Sequence, residues 1–238
     1  MQAASLCVTC PNRTSGFCGA LLGEEPNNLH SCDKPDWQHY RMARPGEQVA
    51  VRDQSSDDVF VICDGWAFRY LQLSNGRRQI LNFLLPGDLF SVISVFDEKF
   101  HFSVKALTGI RISGFGRRQV RARCLANPDI LTTLATSCAT VSEGADELVT
   151  ALGLCSAEER IAYLFLHLTR RIVERSVIRE GRYPFPLRQQ HIADAVGLTP
   201  VHVSRVLRLF RDRGLVALSE GVLSVLNPIE LERIGSLR

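Results

Sequence analysis

Short apolar runs punctuated by glycines characterise residues 41–115. Three of these runs are rich in β-branched and aromatic side chains: residues 59–62, 66–73 and 79–85. Such runs, bounded by turn residues, are typical of strands. Between the last two runs lies Asn75-Gly76, a pair that supplies the positive φ angles of a type I′ hairpin turn. The pattern predicts a small β-barrel or jelly-roll.

After Pro128 the period becomes helical. Apolar residues recur with alternating spacings of three and four, as at the a and d positions of a heptad repeat: Leu131, Leu134, Cys138, Val141, Ala145, Leu148 and Leu152. Such a helix either pairs with a partner helix or lies on its own β-domain. The strict spacing favours a partner, because the apolar stripe of a globular helix is usually wider. We therefore predict a dimerisation helix with these seven residues at its interface.

Residues 189–207 contain two helical patterns separated by Gly197. Glycine permits a tight turn, and the small side chain of Ala193 lets two helices cross closely. Thr199 is a natural cap for the second helix, and Pro200 occupies its first turn, where the missing N–H is no loss. This arrangement predicts a helix-turn-helix.

Two apolar runs, 214–218 and 222–226, follow the second helix and predict a hairpin, the wing of a winged helix-turn-helix. The predicted DNA-binding residues are Gln189, Thr199, Val201, His202, Ser204, Arg205, Arg208 and Arg211. Arg205 is the candidate for base recognition, through two hydrogen bonds donated to guanine O6 and N7. Arg208, Arg211 and Arg213 are suited to phosphates, with a solvated helix surface as the alternative for each.

Charge supports a nucleic-acid surface at the C-terminal end. Residues 156–238 carry 13 arginines and no lysine against nine acids, whereas residues 1–155 carry 15 basic against 16 acidic residues. With 238 residues, of which 45% are apolar, the chain is long enough for two cores. We see neither an uninterrupted apolar span nor a signal-peptide layout, and therefore expect a cytoplasmic protein without a membrane partner.

Eight cysteines divide into two groups. Cys7, Cys10, Cys18 and Cys32 crowd into 26 positions, which favours metal or redox chemistry over core packing. The others are scattered among apolar neighbours and are expected to be small buried hydrophobes: Cys63, Cys124, Cys138 and Cys155.

Taken together, several features resemble the Crp/Fnr superfamily of bacterial regulators over roughly residues 7 to 235. They are the glycine-spaced β-roll, the long helix, residues 157–162 (AEERIA), Gly197-Leu198-Thr199 and Ser204-Arg205. The resemblance implies an α+β fold with four parts: a cysteine-rich segment (1–40), a cyclic-nucleotide-binding-type β-roll (41–126), a dimerisation helix (127–155) and a winged helix-turn-helix (156–238). It also implies a homodimer on near-palindromic double-stranded DNA, with RNA polymerase as a partner if the protein activates. The Fnr branch usually has a glutamate where this chain has Val201, so its operator need not be shared.

The resemblance also bears on the signal. The cyclic-AMP branch clamps its ligand with an Arg-Ser pair, and the matching stretch here is residues 100–103 (FHFS), so we expect no cyclic nucleotide. The spacing of Cys7, Cys10 and Cys18 is similar to that of the iron–sulfur group, which implies a sensor of oxygen, nitric oxide or redox state. The family's fourth cysteine corresponds to Ser113, a poorer ligand.

Cys32 is the substitute ligand, with Cys63 and Cys124 as weaker candidates. The expected cofactor is a [4Fe-4S] cluster, while structural zinc and a metal-free thiol switch remain alternatives. We find no nucleophile motif, phosphate loop or His-Glu-x-x-His, and predict no enzyme. The alternative of another class is a metal-binding protein-interaction module that does not bind DNA.

Overall fold

The computed structural model describes residues 16–22, 36–175 and 182–237. Cys7, Cys10 and Cys32 therefore lie outside the described residues. The chain forms two compact units. The first contains residues up to 70 together with 83–141, and the second contains residues 71–82 together with 142–238. The predicted domain limits stay predictions.

Seven strands between residues 38 and 116 form two sheets. They are β1 (Gln38–Ala43), β2 (Gln48–Ala50), β3 (Asp58–Asp64), β4 (Ala67–Gln72), β5 (Arg78–Leu84), β6 (Ser103–Ala106) and β7 (Ile110–Gly116). One sheet has the order β1-β7-β3 and the other β2-β6-β4-β5. Both neighbours of β7 run antiparallel to it, and Ser113 of β7 faces Tyr40 on one side and Val61 on the other.

An apolar cluster joins the first sheet to the helices of the first unit: α1 (Gly16–Leu22), α2 (Arg117–Ala126) and the beginning of α3 (Pro128–Leu154). Phe17 and Leu21 of α1 are buried in this cluster. Their packing stabilises α1, which is too short to be stable as an isolated helix. The Phe17 ring meets Phe115 of β7 edge to face, with centroids 6.4 Å apart.

The seven residues predicted for the dimer interface all lie on α3, but their surroundings differ. Leu131, Cys138, Val141 and Ala145 are exposed, and Leu148 and Leu152 are half-buried. Leu134 is only 2% exposed and belongs to the apolar cluster of its own unit. It is therefore not accessible to a partner helix, so the remaining six carry the predicted interface.

The hairpin between β4 and β5 is present, but its predicted turn type is wrong. Leu73 and Arg77 close the loop through a backbone hydrogen bond of 2.8 Å. Gly76 has φ 82°, whereas Asn75 is not among the residues with positive φ. A type I′ turn needs two positive φ angles in succession. The Asn75 side chain instead accepts a hydrogen bond from the Arg77 N–H at 3.0 Å, so a three-residue loop with one left-handed glycine makes the turn.

Helices dominate the second unit: α4 (Ala157–Val173), α5 (Gln189–Val196), α6 (Pro200–Asp212) and α7 (Pro228–Gly235). Three strands accompany them: β8 (Arg182–Pro184), β9 (Val216–Ser219) and β10 (Val222–Val225), in the order β8-β10-β9. A capping box begins α4: the Glu159 N–H donates to Ser156 Oγ, and the Ser156 N–H donates to Glu159 Oε2 at 2.7 Å.

Helix α7 packs against α4 at very close range. A Cβ added to Gly235 would lie 2.7 Å from the backbone carbonyl carbon of Ala162 and from the backbone nitrogen of Tyr163. Only glycine permits this approach without moving one of the helices.

The α+β fold class is confirmed, with a cyclic-nucleotide-binding-type sheet unit, a long helix and a C-terminal helix-turn-helix. Among the described helices, none combines the length and apolar character that crossing a bilayer requires.

Candidate nucleic-acid interface

Gly197 makes the turn between α5 and α6. It has φ 65° and ψ 35°, the left-handed conformation that glycine adopts without strain, and its N–H bonds the Ala193 carbonyl. A Cβ at this glycine would also lie 3.2 Å from Cδ2 of Leu152 on α3. Both the turn geometry and the close neighbour therefore favour glycine, as the sequence predicted from the turn alone.

Thr199 caps α6 and also contacts a predicted DNA-binding residue. Its hydroxyl accepts the His202 N–H at 3.3 Å, and Pro200 occupies the first helical position. The same hydroxyl lies 3.2 Å from Nδ1 of the His202 ring. This second contact leaves Nε2 as the ring nitrogen that faces outward from the pair.

Helix α6 is sharply two-faced. Val203, Val206 and Phe210 are buried, and Phe210 extends the buried face one turn beyond the two valines. The exposed side carries all six residues predicted for DNA contact on this helix: Val201, His202, Ser204, Arg205, Arg208 and Arg211. Gln189 and Thr199 are exposed at the starts of α5 and α6. The structure thus brings the predicted residues onto the turn and one helix face.

Arg213 is exposed at the end of α6, but it pairs with acidic side chains. Its Nη2 donates to Glu230 Oε1 at 2.8 Å, and its Nη1 lies 3.7 Å from Glu158 Oε2. Two carboxylates of its own unit hold this arginine, which makes it less available to a phosphate than the exposed arginines of α6. By contrast, Arg205 and Arg208 make no ion pair within residues 16–22, 36–175 and 182–237.

The wing has the predicted hairpin and an additional strand. Ser219 pairs with Val222, and the two residues between them, Glu220 and Gly221, have φ angles of 51° and 73°. These are the angles of a type I′ turn. The additional strand is β8, which pairs with β10 and places Tyr183 opposite Leu223; the sequence analysis does not predict it.

Arg160 tightens the base of the helix-turn-helix. Its Nε donates to the Cys155 carbonyl at 2.8 Å, and its Nη1 lies 3.5 Å from the Val196 carbonyl at the end of α5. One guanidinium therefore bridges the start of α4 and the last turn of α5. Nothing in the sequence signals this contact beyond a capping box four residues earlier.

Two family descriptions match the chain. The Crp-like helix-turn-helix domain matches residues 159–234, and the cyclic nucleotide-binding domain matches residues 40–127. This chain belongs to the Crp/Fnr family of transcription regulators.

Similar proteins agree with this family over most of their length. The nitrogen fixation regulation protein FixK of Bradyrhizobium diazoefficiens is 26% identical over 231 residues, covering 97% of this chain and 94% of FixK. The transcriptional activator protein FnrL of Cereibacter sphaeroides is 27% identical, covering 89% and 84% of the two chains. The solved structure of FixK2 from Bradyrhizobium japonicum has a TM-score of 0.76 at 23% identity, covering 84% of this chain and 98% of FixK2, and so shares the fold.

Membership settles the class of this Crp/Fnr regulator. Proteins with the Crp-type helix-turn-helix bind DNA and act as dimers, and the relatives are regulators, not enzymes. The predictions of a DNA-binding transcription regulator and of a non-enzyme are confirmed.

The regulator's described cysteines have different environments. Cys18 lies half-buried on α1 beside the apolar cluster, and Cys124 is buried within it, where burial raises the pKa of its thiol. Cys63 and Cys155 are half-buried, and Cys138 is exposed in the single chain, at one of the positions predicted for the dimer interface. No group of three metal-ligating side chains comes together among the residues that the structure describes.

Ser113, at the position of the family's fourth cysteine, has a structural role in this regulator. It is buried in β7, and its hydroxyl accepts a hydrogen bond from Gln38 Nε2 at 2.8 Å. Gln38 also donates to the Tyr40 hydroxyl at 3.1 Å. The Ser113 hydroxyl thus satisfies the buried side-chain amide of Gln38.

Residues 100–103, the stretch expected to match the phosphate clamp of the cyclic-AMP branch, carry aromatic side chains. Phe100 and Phe102 are buried and pack against each other, with ring centroids 6.5 Å apart, and Phe100 also stacks on Phe60. Ser103 accepts a hydrogen bond from the backbone of Arg52, and His101 pairs with Asp97 at 3.0 Å. The stretch contributes to the core of the β-roll.

Proposed function

We propose that this regulator binds near-palindromic double-stranded DNA as a homodimer, with α6 of each subunit in the major groove of one half-site. The observation that carries the proposal is the two-faced α6, whose exposed side holds His202, Arg205 and Arg208 next to a wing. A symmetric dimer would read half-sites whose centres lie about 10 base pairs apart. Because the ligand is chromosomal DNA, the proposal places the protein in the cytoplasm.

Individual residues take separate roles in this proposal. Arg205, one turn into α6, donates two hydrogen bonds to guanine O6 and N7. Arg208 and Arg211 lie further along α6 and contact phosphates. Gln189, Thr199 and Ser204 lie near the starts of α5 and α6 and contact the sugar-phosphate backbone of the DNA. His202 presents Nε2 to a base edge. Base contacts supply selectivity, and phosphate contacts supply affinity that falls with salt.

A binding titration tests this assignment. Operator selected from random sequence would be compared with scrambled duplex, using the full-length regulator and Arg205→Ala. We expect Arg205→Ala to reduce the preference for operator by about 5- to 150-fold per half-site, the range for one bidentate base contact, and the factor applies twice when a dimer occupies two half-sites. Arg121→Ala, an exposed arginine on α2, should leave it unchanged. Equal selectivity of all three proteins would refute the role of Arg205, and salt-independent binding without selectivity would favour the protein-interaction alternative.

Helix α3 supplies the dimer interface in this proposal. Leu131 and Val141 are exposed apolar side chains at predicted interface positions. Burying such side chains against the same helix of a second subunit would stabilise the dimer. We expect Val141→Asp to shift the protein towards monomer in analytical ultracentrifugation, because it places a charge in the seam. Lys105→Asp, on β6 of the β-roll, is a control that should remain dimeric.

The proposed signal acts through Cys7, Cys10, Cys18 and Cys32. Four thiolates fit a [4Fe-4S] cluster, which when bound would supply reactivity towards oxygen or nitric oxide. Only Cys18 is described, on α1, whose Phe17 and Leu21 pack in the same apolar cluster as Ile130 of α3. A change in the ligation of Cys18 would therefore be felt where the dimerisation helix begins. The phenylalanines at the clamp positions favour this signal over a cyclic nucleotide.

Anaerobic purification tests the sensor. We expect a coloured protein with about four iron and four sulfide per subunit, and Cys18→Ser should lose both while Cys138→Ser keeps both. A colourless protein with stoichiometric zinc would replace the cluster by structural zinc. A metal-free protein whose DNA binding responds to thiol oxidation would identify a thiol switch.

We propose activation as the output, since FnrL is described as a transcriptional activator. RNA polymerase is then the partner on DNA. In vitro transcription from a promoter carrying the selected operator should rise when the regulator is added, and a fall would instead identify a repressor.

A further inference from the structure

We infer that Val201 selects thymine at one operator position, through apolar contact with the thymine methyl group. This inference rests on the proposed function and adds a base preference to it. Val201 is the second residue of α6, and the N-terminal residues of a recognition helix are those that contact base edges.

Exposure decides between two roles for this valine. An apolar residue at the start of a helix can pack against the rest of the protein. In α6 the two positions that usually make this contact are Leu198, which is half-buried, and Val203, which is buried. Val201 instead leaves 71% of its surface exposed. Its side chain therefore adds little to the core of this unit.

Position on the helix gives the direction in which Val201 points. With 3.6 residues per turn, nine residues correspond to about half a rotation, so Val201 lies opposite the buried Phe210. Four residues correspond to slightly more than one turn, so Arg205 lies on the same face as Val201, one turn further along α6. Val201 thus stands at the middle of the exposed face, among Arg205, His202 and Ser204.

The chemistry of the groove specifies the partner. Valine can neither donate nor accept a hydrogen bond, so it gains nothing from the polar edges of guanine, cytosine or adenine. Thymine alone presents a methyl group in the major groove. Val201, at the centre of the exposed polar and basic face of α6, therefore favours a T·A pair at the position it contacts. Any other base pair at that position would face valine with polar groups that find no hydrogen-bond partner on it.

Replacing thymine by deoxyuracil tests this inference, because the exchange removes only the methyl group. Operator would first be selected from random sequence with the full-length protein, and each thymine of a half-site would then be changed to deoxyuracil. At one position we expect affinity to fall about fourfold per half-site, the factor for burying one methyl group. Val201→Ser should bind the thymine and deoxyuracil operators equally at that position.

Ile229→Ser is the matched control. Ile229 is an apolar residue of α7 that is 81% exposed, and it lies outside the recognition helix. This variant should keep the full thymine effect. If no thymine shows an effect that depends on Val201, while selection still yields an operator read by Arg205, the inference fails and the proposed function stands. If selection yields no operator, both fail.

Discussion

Arg78 and Asp194 form an ion pair inside the second unit, although 116 residues separate them in sequence. Arg78 Nε donates to Asp194 Oδ2 at 2.8 Å, and its Nη2 donates to the same oxygen. Gln190 Nε2 donates to the other oxygen at 2.7 Å. The neighbouring Gln79 donates to the Ala195 carbonyl at 2.9 Å, so residues 78 and 79 hold the last turn of α5.

This ion pair should contribute to the stability of the second unit. The Asp194 side chain is only 11% exposed, so removing its cation leaves a poorly solvated carboxylate. We expect Arg78→Ala to lower the free energy of unfolding by about 1–2 kcal/mol, between the effects at exposed and at fully buried pairs. Urea denaturation measures the change. Arg77→Ala, at the exposed neighbouring residue, should cost less than about 0.5 kcal/mol. Equal losses would show that the ion pair is not the cause.

The close approach of α7 to α4 leads to a second prediction. Gly235→Ala places a methyl group against the backbone of Ala162 and should lower the free energy of unfolding by about 1–3 kcal/mol. In Gly153→Ala, the new Cβ on α3 meets no atom within 4 Å, and the higher helix propensity of alanine should raise stability by about 0.5–1 kcal/mol. Thermal denaturation of both variants gives the sign directly. If Gly235→Ala left the free energy of unfolding unchanged, α4 and α7 could move apart without loss of stability, which would contradict this prediction.

The capping box of α4 should make stability depend on pH. Hydrogen bonds from the Ser156 backbone and side chain hold the pKa of Glu159 below its ordinary value. A carboxyl group with a lowered pKa stabilises the folded state above its unfolded pKa, and this contribution is lost as pH falls through the folded pKa. Glutamine can replace glutamate in a capping box. Glu159→Gln should therefore keep the cap at neutral pH but lose less stability than the wild type between about pH 6.5 and about pH 3.5.

Unfolding curves of the two proteins at both pH values give this difference. The other carboxyl groups are common to both proteins, so their titration cancels. If the wild type and Glu159→Gln lose the same stability on acidification, Glu159 does not titrate as its hydrogen bonds imply.

Arginines of α6 should differ in their salt dependence. Removing the arginine from one phosphate reduces the slope of log K against log salt by about 0.9 in magnitude, and a substitution in a dimer acts at two phosphates. We therefore expect Arg208→Ala and Arg211→Ala each to reduce the slope by about 1.8 on any duplex. Arg213→Ala should leave it unchanged, since Arg213 pairs with Glu158 and Glu230. Fluorescence anisotropy at several salt concentrations separates these outcomes, and a reduced slope for Arg213→Ala would contradict the structure.

The recognition helix could be predicted because its signals are local. Thr199, Pro200 and the spacing of Val203 and Val206 are sufficient to specify the cap, the start and the buried face. The wing strand β8 could not be predicted in the same way, because Pro184 and Pro186 are more typical of a break than of a strand. Proline is tolerated on an edge strand, and β8 lies at the edge of its sheet.

Turn types and long-range contacts were harder to predict. Asn75-Gly76 has the preferred type I′ sequence but a three-residue loop, whereas Glu220-Gly221 adopts the two positive φ angles. Loop length, which depends on strand register, decided between them. Leu134 fits the heptad pattern, yet the core of its own unit buries it. Periodicity identifies an apolar face without identifying what covers it.

The pairing of Arg213 with two glutamates also affects how the regulator searches for its operator. Arg233 shares Glu230 with Arg213, so two of the C-terminal arginines are neutralised within the protein. The positive potential that distant DNA experiences is therefore weaker than the arginine count implies. Weaker attraction to arbitrary sequence shortens each visit to a wrong site. If α6 reads the operator as proposed, the dimer then samples more of the chromosome in a given time, and its residence on DNA depends more strongly on base contacts.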